Sequence, residues 1–152
     1  MKAIGSSRGI KALTISVLLA AGSTAPRADD TMPNGSWRLV ELQSPDDRIG
    51  VVRPGDPAKY ELTLSDDGGV TLRVDCNRGK GRWTSIATNQ AQGSITFTAL
   101  AMTRAACLSG SLDTRIAREL GYVRTYMIKD GRLILIMMAD GGSQVWSRVA
   151  GR

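Results

Sequence analysis

The sequence predicts a mainly β, small α+β domain: a closed or nearly closed antiparallel barrel of about eight strands with one short helix. Three observations predict it. Short segments alternate apolar and polar residues with period two, the mark of half-buried strands. Turn residues, Asp-Gly above all, separate most of them, which is short-hairpin chemistry. Only one segment repeats apolar residues at helical spacing. Many strands joined by hairpins favour closure, because closure removes exposed edges.

The elements follow in order. Residues 36–43 carry the β-branched and aromatic content of a first strand. Residues 44–58 hold Pro45, Gly50, Pro54, Gly55 and Pro57 and read as a long surface loop, the kind of segment that often carries function. Residues 60–64 place Tyr60, Leu62 and Leu64 on one side, Asp66-Asp67-Gly68-Gly69 turns the chain, and Val70, Leu72, Val74 and Cys76 then share a face. That hairpin directs Cys76 into the core. Gly79 and Gly81 bracket a break before a strand at 82–86, and residues 94–98 alternate again with Ile95 and Phe97 inward. Ser111 is the expected N-cap of a helix bearing Leu112, Ile116 and Leu120 at i, i+4, i+8, with Arg115, Arg118 and Glu119 on the surface and Gly121 as its stop. Strands at 122–128, 133–138 and 144–149 close the chain, joined by turns that each contain Asp-Gly.

The first residues have another role. Lys2, Arg8 and Lys11 precede a ten-residue apolar run at 12–21, followed by small residues and a proline, so residues 1–28 read as a cleavable export signal with its cut between Gly22 and Asp29. The run is too short for the ~20 residues of a transmembrane helix. No cysteine lies near the junction, so no lipid anchor is expected there, and the mature protein is expected to be free in the periplasm or secreted. Residues 29–34 form a flexible lead-in, and one domain spans 35–150. The formal charge is +6 with 20 basic and 14 acidic residues. The segment at 1–28 holds four of the bases and no acid, so the mature chain falls to +2, and its interspersed signs argue against a nucleic-acid partner. Two cysteines in an exported chain favour a disulfide, Cys76 to Cys107, worth roughly 3.5 kcal/mol in the chain-entropy account.

With these residues on the page, the chain resembles a META domain of the HslJ type. The resemblance rests on Gly35-Ser36-Trp37-Arg38-Leu39, on residues 60–64 with their Asp-Gly turn, and on Cys76-Asn77 followed by Gly79 and Gly81. It rests equally on Leu100-Ala101-Met102-Thr103-Arg104 ending in Cys107, and on Leu133-Ile134-Leu135. It implies a lipocalin-like barrel in the bacterial envelope, often lipoprotein-anchored, in a family that includes heat-induced members and a link to novobiocin resistance without an agreed activity. This chain lacks the lipoprotein cysteine, and its 44–58 loop is long and rich in proline.

Catalysis is not expected. The chain contains no histidine, which removes Ser-His and Cys-His nucleophile pairs and leaves too few ligands for zinc; no cofactor or metal is expected. Asp46-Asp47 and Asp66-Asp67 are paired carboxylates beside turn residues and read as turn formers. Asn77, Thr103 and Arg104 form a candidate recognition patch, with Arg104 able to fork a carboxylate; equally, Asn77 and Thr103 can serve local backbone geometry. Trp37 reads as the barrel-closing tryptophan with Arg148 over its ring, and Met127, Met137 and Met138 read as core. A monomeric, non-enzymatic, stress-related protein binding another envelope component is the expected function; a carrier of a small hydrophobic ligand and a secreted enzyme inhibitor are the alternatives.

Overall fold

The computed structural model describes residues 32–150. The expected signal at 1–28 lies outside the described residues. Nine strands and one α-helix follow in the order β1 Gly35–Gln43, β2 Val51–Val52, β3 Tyr60–Leu64, β4 Gly69–Val74, β5 Asn77–Asn89, β6 Gln92–Met102, α1 Asp113–Leu120, β7 Val123–Lys129, β8 Arg132–Met137 and β9 Ser143–Arg148. Among the described residues, a 3-10 turn, Pro57–Lys59, precedes β3. Apart from β2, each strand pairs antiparallel with the next, and β1 pairs with β9, so eight strands close into a barrel. The two-residue β2 joins only β1, through Leu42 and Gln43.

Alternation builds the interior. Tyr60, Leu62 and Leu64 oppose Val74, Leu72 and Val70 in register, and all six are buried. In β1 the register shifts between Leu39 and Glu41. That bulge lets Leu39 and Leu42, three residues apart, both be buried. One apolar cluster fills the barrel, with Trp37, Trp146 and Tyr126 its largest members. Burial raises the Tyr126 phenol above its ordinary pKa. No helix among the described residues is long and apolar enough to cross a membrane.

The two barrel ends differ. At one end Trp37 closes the floor: its indole N–H donates to the Pro33 carbonyl at 2.7 Å, and the Arg148 guanidinium lies 4.3 Å from its ring centroid. Arg148 also donates to the carbonyls of Asn34 at 3.1 Å and Met32 at 3.2 Å. Residues 32–34, expected in a flexible lead-in, are therefore fastened to the barrel. The other end gathers the 44–58 loop, the β4–β5 turn, the 103–112 segment, α1 and the turn between β8 and β9, as the antiparallel order requires.

Several expectations are corrected by local geometry. Cys76 is exposed, and Asn77 is the buried residue. β4 ends at Val74, Asp75 takes a positive φ of 57°, and Val74 pairs with Asn77 across a two-residue turn, so the alternation resets before the cysteine. Gly79 and Gly81 do not interrupt the chain; they lie inside the continuous β5. A Cβ on Gly81 would stand 2.8 Å from the Thr98 carbonyl oxygen, so glycine is there for close approach to β6. The helix starts at Asp113 with Leu112 at the N-cap and no side-chain cap. Ser111 instead accepts from the Asp113 N–H at 3.3 Å. Ile116 and Leu120 are buried as expected, but so is Glu119, because it receives Gln144 Nε2 at 3.0 Å and Arg115 Nε at 2.6 Å. Met137 is buried, whereas Met138 is 46% exposed.

Candidate functional site

Sequence places Cys76 at the β4–β5 turn and Cys107 in the segment after β6; the fold brings them together. Their sulfurs are bonded at 1.97 Å with Cα atoms 5.5 Å apart, which staples the 103–112 segment to the barrel end. Beneath the staple, Asn77 is 2% exposed and its amide is fully used. Its Nδ2 donates to the Ala105 carbonyl at 3.0 Å and to Asp113 Oδ2 at 2.8 Å. Its Oδ1 accepts from Thr103 Oγ1 and from the Ala105 N–H, both at 2.8 Å. Thr103 Oγ1 in turn accepts from the Arg78 N–H at 2.9 Å.

These contacts sort the expected patch. Asn77 and Thr103 are spent on shaping the end of the barrel, linking β5, the 103–112 segment and α1. Arg104 is exposed and makes no hydrogen bond or ion pair among the described residues. Asp113 faces opposing influences: burial disfavours its charge, but hydrogen bonds from the Thr114 N–H, from Asn77, from Ser111 and from the Thr114 hydroxyl outweigh it and hold the carboxyl below its ordinary pKa.

A cleft of about 770 Å3 opens between residues 100–106 and α1, lined by Arg104 and Arg118 with Thr114 and Asp113. A neighbouring trough of about 680 Å3 crosses β3 to β6, floored by Leu72 and Met102 and edged by Arg73, Arg78 and Lys80. Ala101, Met102 and Thr103 line both hollows, so the two adjoin along the end of β6. Sequence reasoning missed Arg78, Lys80 and Arg118. No linear motif joins them; strand pairing and the return of α1 do. The barrel interior, by contrast, is occupied by the protein's own apolar side chains.

The 44–58 loop borders the same end and is built rather than slack. Gly50 N–H and Ile49 N–H both donate to the Asp46 carbonyl at 2.9 Å, and Ser44 N–H donates to the Gly50 carbonyl at 2.9 Å. Asp46 Oδ1 also accepts from the Arg48 N–H at 3.0 Å. Its carboxyl is held below the ordinary value chiefly by the Arg48 side chain. Asp67 Oδ1 likewise accepts from the Gly69 N–H at 2.9 Å, so Asp46 and Asp67 shape turns. Ile49 and Val51 stand out of the loop, 53% and 47% exposed.

A closed antiparallel barrel, crosslinked at one end and carrying a cationic cleft there, defines the class. The META domain profile matches residues 30–149, and the chain belongs to the META domain family. An NMR structure of a protein from Burkholderia xenovorans is similar with a TM-score of 0.61 at 19% identity, covering 93% of this chain and 100% of the other. A crystal structure of a DUF4847 family protein from Bacteroides vulgatus ATCC 8482 is similar with a TM-score of 0.51 at 14% identity, covering 78% and 95%. Both likenesses concern the fold. No curated protein matches the sequence significantly. A disulfide in a META domain fits an extracytoplasmic location.

Proposed function

We propose that this protein is a non-enzymatic, exported envelope protein that binds another envelope component through the crosslinked end of its barrel, in a stress-related role. One observation carries the reading: the fold spends a disulfide and the whole hydrogen-bonding capacity of Asn77 on holding the 103–112 segment in place, while the side chains of Arg104 and Arg118 on the cleft beside it have no partner among the described residues. A rigid frame around unpaired guanidinium groups lowers the ordering cost of binding. Export agrees with the charged and apolar pattern of residues 1–28 and with the disulfide. The chemistry of the described carboxylates, turn formation and ion pairing, supports a binding role over catalysis.

The test is site-specific photo-crosslinking in the envelope of the source cell, with the crosslinker at position 104 and, as control, at position 130 on the opposite end. Discrete adducts from 104 and none from 130 are expected. Equal adducts from both, or none from any position on the crosslinked end, overturn the reading.

A second reading, secreted enzyme inhibitor, draws on the hydrogen-bonded 44–58 loop with its exposed Ile49 and Val51. A crosslinker at position 49 separates the two: an adduct with an enzyme from 49, abolished by I49E, favours inhibition. The carrier reading loses support from the filled interior.

A further inference from the structure

The barrel is closed, yet one strand edge within it is open. β6 pairs with β5 from Gln92 to Met102 apart from register shifts between Ala87 and Asn89 and between Lys80 and Arg82, the latter opposite Ala99 with its positive φ of 51°, but with β7 only through Gln92, Gly93 and Ser94. Beyond Ser94 the two strands part, and none of the loop or turn backbone hydrogen bonds among the described residues engages residues 95–102. The end of this edge, Leu100 to Met102, forms one wall of the cleft, and α1 forms the other. An unpaired edge is a template for a further strand.

Charge selects what that strand is. Residues 32–150 hold fifteen basic and twelve acidic residues. Five of the bases and only two of the acids line the cleft and the adjoining trough, so the net excess of the described chain is concentrated there. Both acids are already engaged, Glu61 by Arg73 at 3.2 Å and Asp113 by Asn77 at 2.8 Å. The side chains of Lys80, Arg104 and Arg118 have no hydrogen bond or ion pair among the described residues, and Arg78 spends its guanidinium on the neutral carbonyls of Asp75 and Asn77.

Resting on the reading that this end binds a partner, we propose that the cleft takes an extended acidic segment of another protein, added antiparallel or parallel to the free edge of β6, with its carboxylates on Arg104 and Arg118. Backbone pairing supplies affinity and the cationic rim supplies selection, the division of labour of strand addition. A second copy of this chain would place like charges against one another at Arg104 and Arg118. A bilayer cannot enter a concave cleft, and no aromatic residue lines either hollow to stack nucleic-acid bases.

The experiment uses the oxidised protein and a fluorescein-labelled octapeptide alternating Glu and Val, read by fluorescence anisotropy. Three comparisons accompany it: the Lys-Val counterpart, the Glu-Val peptide N-methylated at alternate amides, and the R104E/R118E variant, with near-UV circular dichroism confirming its fold. Expected is saturable binding of the Glu-Val peptide, weakened at least tenfold in each comparison. Binding that survives N-methylation overturns strand addition. Binding that is indifferent to R104E/R118E overturns the acidic selection, and a concentration-dependent dimer by light scattering, competing with the peptide, overturns the choice of occupant. Failure of the peptide with adducts still formed from position 104 in the envelope sinks this inference and leaves the partner-binding reading standing.

Discussion

Asn77 carries more of the local architecture than its small size suggests. Its amide joins the start of β5 to Thr103, Ala105 and Asp113, and it is 2% exposed. Alanine there would leave buried donors and acceptors unpaired, each costing about 1–3 kcal/mol. N77A is therefore expected to lower stability by about 2–4 kcal/mol in urea unfolding followed by tryptophan fluorescence; a loss below about 0.5 kcal/mol, typical of a surface change, would contradict the assignment. Asp113 gives the same cluster a pH dependence. Its carboxyl is held below the ordinary 3.8, so its stabilising contribution is complete above that value and is lost as pH falls through the lower folded pKa. D113N, which keeps the shape without the charge, is expected to flatten the decline of stability between about pH 5 and pH 2. An unchanged slope in acid titrations of the melting temperature would remove Asp113 as its source. Asp46 shares the direction of shift, held by the Arg48 side chain.

At the scale of elements, the β5–β6 hairpin is where the barrel is most tightly built. A Cβ at Gly79 would meet the Sδ and Cε of Met102, the mobile end of a flexible side chain, whereas one at Gly81 would meet the carbonyl oxygens of Thr98 and Ala99 at 2.8 and 3.1 Å. Side chains move aside more readily than strand backbone. G81A is therefore expected to cost about 1–3 kcal/mol and G79A clearly less; the reverse order in parallel denaturation curves would refute the close-approach account. These glycines also show where sequence reading ends. Period-two alternation is dictated locally by the pleat, so the hairpin at Tyr60 to Val74, the inward face of Ile95 and Phe97 and the closing strands were legible. A glycine needed for close approach looks the same in sequence as one that breaks a strand. The positive φ of Asp75 that turns Cys76 outward, the burial of Glu119 by Gln144 and the meeting of Arg104 with Arg118 all depend on distant neighbours. The Cys-Asn and Met-Thr-Arg…Cys elements lie together at the crosslinked end of the barrel, but the division of labour within them, Asn77 buried, Thr103 hydrogen-bonded to it at the surface and Arg104 exposed, needed three dimensions.

For the molecule as a whole, closure and crosslink are separable. The barrel closes through β1 and β9, whereas the Cys76–Cys107 bond spans 31 positions that include the long β5–β6 hairpin. Its thermodynamic effect falls mainly on the unfolded chain, where it removes loop-closure entropy worth roughly 3.5 kcal/mol, less any native strain. C76S and C107S each abolish the same bond, so they should destabilise by similar amounts, and the double substitution should cost little more than either one. Strongly additive losses would mean that the two thiols contribute separately. Global stability then falls for every residue, but local protection should fall unevenly. The 103–112 segment has no regular secondary structure and depends on the disulfide, Asn77 and Thr103, while β1 and β9 keep their full ladder. Reduction is therefore expected to raise amide exchange at 103–112 by far more than at β1 and β9 in native-state hydrogen exchange. A uniform rise across both would show that the staple acts only on the unfolded chain and does not hold the crosslinked end in shape.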